Sequence, residues 1–61
     1  MTLKKLLSAL NFEGHISLRR DGFGGMQYIG GGSPEQVSFR YGGYKVEKSV
    51  VIDHVLVIYV K

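Results

Sequence analysis

Val55-Leu56-Val57-Ile58-Tyr59-Val60, the stretch before the final Lys61, is apolar without a break. A half-buried strand alternates apolar and polar residues, whereas an unbroken run marks a strand covered on both faces. The N-terminus encodes something to cover one face. Thr2 stands as an N-cap, and Leu3, Leu6, Leu7 and Leu10 follow at the i, i+3, i+4, i+7 spacing of a buried stripe, with Lys4, Lys5 and Ser8 on the other side. Asn11 and Gly14 supply the stop, so a helix is expected over 3–11. A helix this short does not persist alone in water and has to lie on a sheet. Little chain remains for the second face. Leaving Val55, Val57 and Tyr59 wet forgoes roughly 1.5–3 kcal/mol each, against a net stability of about 5–15 kcal/mol. These three residues are therefore expected to mediate self-association.

Between the helix and the final run the pattern is that of strands and turns. His15 to Arg20 reads as a strand with Ile16 and Leu18 inward, followed by the turn signal Asp21-Gly22. Met26 to Ile29 reads as a second strand, which Gly30-Gly31-Gly32 interrupts. Residues 34–41 admit two readings. Ser33 as N-cap, Pro34 at the first helical position and Gln36 at the third would start a helix. Val37, Phe39 and Tyr41, alternating with Ser38 and Arg40, have the period of a strand. The strand, entered through a helical turn, is the favoured reading; a turn at Gly42-Gly43 then pairs Tyr41 with Tyr44 and Phe39 with Val46. Val46 to Ile52 is a further strand, and Asp53-His54 a tight turn, since both residues tolerate positive φ. The expected fold is α+β: one N-terminal helix packed on a four- or five-stranded antiparallel meander sheet, with 1–61 as a single domain.

Size and composition bound the function. A chain of 61 residues buries only about 60% of its extended surface and is marginal without help. It has no cysteine, so disulfides and the common Cys-based zinc sites are excluded, and oligomerisation or target binding remains. No apolar stretch approaches the ~20 residues of a membrane span, and Met1 to Lys5 lacks the apolar region of a signal peptide. A cytoplasmic location in a bacterial host cell, with no membrane partner, is the expectation. A net charge of +3 is mildly basic and argues against a mimic of DNA, which would be strongly acidic.

Catalytic signatures are weak. His15 and His54 are far apart in sequence, with no HxxxH spacing, paired carboxylates or activated nucleophile, so no catalytic residue and no cofactor is assigned. A metal site from His15, His54, Asp53 and Asp21 is a minor alternative. Gly22-Phe23-Gly24-Gly25-Met26-Gln27 begins like a dinucleotide-binding loop but has Gln at the last Gly position, and Gly30-Gly31-Gly32-Ser33 lacks the Lys of a P-loop. Flexible turns are the simpler reading of these glycines; backbone amides lining a nucleotide site beside Arg19, Arg20 or Arg40 are the functional one. Tyr41 and Tyr44, beside Arg40 and Lys45, form an aromatic and basic corner.

Two resemblances add to this. Arg20-Asp21-Gly22-Phe23-Gly24-Gly25-Met26-Gln27-Tyr28 resembles the RNP1 motif of RNA-recognition and cold-shock domains, with Gly25 at the central stacking position and Asp21 displacing the leading base. That motif stacks nucleic-acid bases on an open sheet. The opening Thr2-Leu3-Lys4-Lys5-Leu6-Leu7 and the ending Val51-Ile52-Asp53-His54-Val55-Leu56-Val57-Ile58 are similar to small phage and prophage proteins of Gram-positive bacteria, among which anti-CRISPR and other anti-defence proteins have this size. The resemblance implies a small interaction protein that binds and inhibits a bacterial defence or host enzyme by direct contact, and the apolar run adds that it does so as a homo-oligomer. Its partner- or ligand-binding residues are expected among Arg19, Arg20, Phe23, Gly24, Gly25, Tyr28, Arg40, Tyr41, Tyr44 and Lys45, and its self-association through Val55, Val57 and Tyr59. An oligomeric nucleotide-binding sponge, or a single-stranded nucleic-acid-binding module using residues 20–28, is the alternative.

Overall fold

The final apolar run forms an inner strand of a four-stranded sheet. In the computed structural model, which describes residues 1–22 and 24–61, the order of elements is α1 (Leu3–Ala9), β1 (His15–Gly22), β2 (Gly25–Gly32), α2 (Pro34–Tyr41), β3 (Val46–Ile52) and β4 (Val55–Val60). The sheet order is β2-β1-β4-β3. The α+β class and the N-terminal helix stand as expected. The antiparallel meander does not: two antiparallel hairpins, β1–β2 and β3–β4, are joined side by side through parallel pairing of β1 with β4. Parallel neighbours need a crossover segment, and α2 lies in the connection between the hairpins.

That second helix is the largest departure from the sequence reading, which favoured a strand. Ser33 accepts from the Gln36 amide at 3.3 Å, and the Gln36 side chain accepts from the Ser33 amide at 3.3 Å, a complete capping box with Pro34 in the first turn. Two otherwise orphaned donors are satisfied locally. The strand alternation had no burial behind it: Val37 is buried, but Phe39 is 91% exposed. Tyr41 and Tyr44 do meet, with ring centroids 6.0 Å apart. They do so across the end of a helix, and the expected Phe39–Val46 pair does not form.

The core follows the period of each element. Ile16 and Leu18 of β1 and Leu56, Ile58 and Val60 of β4 alternate onto one face, where Leu3 of α1 and Val37 of α2 close over them. Helix α1 is shorter than the expected 3–11, because Leu10 is already extended; it leaves Leu10 40% exposed. The chain after α2 secures the start of α1: the Leu3 amide donates to the Tyr44 carbonyl (2.8 Å) and the Lys4 amide to that of Gly42 (3.0 Å). The turn at Asp53-His54 is as expected, with φ of 48° and 66° at its two residues. The first hairpin closes later than Asp21-Gly22 suggested, since both residues stay in β1 and Gly22 pairs with Gly25.

The glycine triplet lies inside β2 and does not interrupt it. Each glycine leaves room for a neighbouring side chain. A Cβ on Gly30 would meet the Tyr41 hydroxyl at 2.5 Å on the helix side, and one on Gly31 would meet the Tyr28 hydroxyl at 2.8 Å on the opposite face. The tyrosines cover sheet surface that side chains would otherwise occupy.

Candidate functional site

Both helices lie on one side of the sheet, so register decides what the other side presents. Arg19 is paired with Tyr28 of β2 on one flank and with Tyr59 of β4 on the other, and Tyr59 with Lys48 of β3. Directly paired residues share a face. The result is one row across all four strands, Tyr28–Arg19–Tyr59–Lys48, alternating aromatic and cation on the helix-free face. The Lys48 ammonium sits 4.9 Å from the Tyr59 ring centroid, within cation–π range. Tyr28 is 65% exposed.

Below this row the face turns apolar. The next row is Gly31–Ser17–Val57–Val50, and the one beyond it is His15–Val55–Ile52. Val50 and Ile52 are 43% and 48% exposed. They belong to edge strand β3, whose outer backbone groups have no strand beside them among the described residues. The bulge at Glu47, between the partners of Val60 and Tyr59, interrupts the start of that edge, while Lys48 to Ile52 pair regularly.

The proposed self-association residues look different in this light. Val55 and Tyr59 are half-buried, and Val57 is only 2% exposed although no helix lies on its face. An inner strand position, with Ser17 on one side and Val50 on the other, shields Val57 within a single chain. The unbroken apolar run is thus mostly explained by the central place of β4, and the apolar surface left to a partner lies one strand outward.

The residues expected to bind a partner or ligand divide between the two faces. Arg19 and Arg20, adjacent in sequence, point to opposite sides of the sheet. The Arg20 guanidinium lies 5.3 Å from the Tyr44 ring centroid on the helix side, and its Nε is buried with no hydrogen-bond partner among the described residues. Arg40, Tyr41 and Tyr44 line a shallow hollow beside it with Gly43. Lys45 stands apart, bridged to Thr2. Gly24 and Gly25 are exposed at the hairpin end with φ of 89° and 120°; Phe23 lies outside the described residues. Among the described residues of the RNP1-like segment, the aromatic Tyr28 lies on the helix-free face. The nucleotide-site reading of Gly30–Gly32 meets a strand packed under Tyr41 and Tyr28.

No group of three or more metal-ligating side chains is present among the described residues. His15 and His54 are brought toward one end of the sheet, because His15 pairs with Val55; Asp21 lies at the far end of β1.

Four exposed residues were missed: Lys48, Val50, Ile52 and Phe39. Lys48 and Val50 are legible once the Asp53-His54 turn is accepted, since a two-residue turn sets Ile52 opposite Val55 and hence Val50 opposite Val57 and Lys48 opposite Tyr59. Phe39 is legible once α2 is accepted, because Val37 and Tyr41, four apart, define the inward stripe. It stands at the rim of a groove between the helices formed with Lys4, Leu7 and Pro34. No helix is long and apolar enough to cross a membrane, among the described residues. Comparison of the chain with protein-family models, with curated proteins and with solved structures finds no match.

Proposed function

We propose that this chain is a small interaction protein that inhibits a bacterial defence or host enzyme by direct contact, in the manner of anti-CRISPR proteins, and that it does so as a homo-oligomer. The observation that carries the contact reading is the helix-free face at its β3 side, where Val50 and Ile52 are exposed beside Val55 and Val57. An apolar surface continuous with an open strand edge serves both packing and strand pairing. The anti-defence part of the reading rests on the resemblance of the chain ends to small phage proteins.

The test uses Val50→Asp, because Val57→Asp would place a charge at a site already closed within the single chain. Wild-type protein should have a solution mass above the 6.8 kDa of one chain and should retain one host protein near stoichiometrically from nuclease-treated lysate. Val50→Asp should stay folded and lose both. A wild-type monomer, or a variant that still captures the same protein in full, would overturn the reading.

A further inference from the structure

We propose that the row Tyr28–Arg19–Tyr59–Lys48 is a binding site for single-stranded nucleic acid, on the same open face as the protein contact and adjoining it at β3. The alternation carries the argument. Arg19 joins two tyrosines through cross-strand pairs, and Lys48 follows Tyr59 on the next strand. Tyr28 and Tyr59 stand on strands two apart, about 10 Å from each other. At that separation each ring takes its own base, and the guanidinium between them reaches the phosphate that links the two. Lys48 now rests over Tyr59. Its flexible stem lets the ammonium swing to a phosphate when a base takes the ring face. Stacking needs the face of an unpaired base, so the ligand is a single strand; a duplex keeps its base faces inside.

The surroundings agree in sign and shape. No helix lies on this face, which leaves Tyr28 65% exposed. Tyr28 extends along β2 over Gly31, where a side chain would meet its hydroxyl and the His15 ring. The side chain therefore runs along the sheet, with its hydroxyl over Gly31. The register puts Asp21 on this face as well, paired with Met26 next to the row. It favours a strand that crosses along the row over one that runs down β1. The chain carries a net charge of +3, which supports association with an anion of any sequence. Nothing in the row reads base edges, so binding is expected to be tolerant of sequence.

The experiment is fluorescence anisotropy of the full chain with a labelled oligouridylate of about 12 nucleotides, within the site sizes of open-sheet binders. Arg19 and Lys48 neutralise two phosphates, so log K should fall against log salt with a slope of about −1.4 between roughly 50 and 200 mM. Tyr28→Leu keeps an apolar side chain at this exposed position and removes the stacking ring; it should weaken binding about 5- to 150-fold, the worth of one stacked base. Tyr28→Phe should restore it. Lys5→Ala removes the same charge from exposed α1 and should change affinity by less than about twofold. Absence of binding at about 50 mM salt, unchanged affinity in Tyr28→Leu, or equal affinity for a duplex of the same length would overturn the proposal. Equal competition by an acidic polypeptide would also overturn it, by reducing the site to charge alone.

Discussion

Single residues carry much of the geometry here, and the two turn residues with positive φ show it most directly. Asp53 and His54 both sit in the left-handed region, where a non-glycine residue costs roughly 1–2 kcal/mol. Their conformation matches the twist of the flanking strands, which is what a two-residue hairpin requires. Replacing His54 with Gly should raise stability by about 0.5–1 kcal/mol, the relieved strain less the added freedom of the unfolded chain; chemical denaturation checks this, and a decrease would contradict the turn. Gly30 poses the opposite constraint, because a methyl group there meets the Tyr41 hydroxyl. Gly30→Ala should cost about 1–3 kcal/mol, and adding Tyr41→Phe should recover part of that loss, a coupling that a double-mutant cycle reads. The tolerance of Asp and His for positive φ made the turn legible in the sequence. The glycine triplet was not legible, because its neighbours, Tyr41 and Gln36 of α2 and Tyr28 with the Ile16 carbonyl, close on it only in the fold.

At the scale of elements, the instructive case is α2, where two local signals conflict. The alternation of Val37, Phe39 and Tyr41 speaks for a strand, and Ser33-Pro34-Glu35-Gln36 for a helix start. The cap prevails because it satisfies two backbone amides within the segment, whereas a strand earns its alternation only if Phe39 is buried. Ser33→Ala should therefore cost about 1 kcal/mol. Phe39→Ser should change stability by less than about 0.5 kcal/mol, as befits a residue 91% exposed. Thermal unfolding of the two variants separates the readings, since a buried strand would reverse the order. The α1 stripe and the β4 run were legible because each is a strong single-period pattern. The parallel pairing of β1 with β4 was not, because nothing local in either strand encodes its neighbour; it follows from α2 lying between the hairpins.

For the whole molecule, two helices on one face and none on the other produce a plate with a closed side and an open side. The closed side holds the core, and Ile58, fully buried at its centre, should lose about 2–5 kcal/mol on truncation to Ala. In a 61-residue chain that loss is comparable to the whole stability, so the variant should be largely unfolded by circular dichroism. The open side divides into an aromatic and cationic row and an apolar flank at β3. The sequence reading placed both Arg19 and Arg20 in one site, but the period of a strand sends them to opposite sides, and only Arg19 belongs to the row. The direct test of the open face as the contact surface is the exposure of its methyl groups to a soluble paramagnetic agent, followed by NMR as protein concentration rises. The account predicts that the methyls of Val50 and Ile52 become protected, while those of Leu10 and Val51, exposed on the helix side, stay accessible. Protection of Leu10 and Val51 instead, or of neither pair, would contradict it.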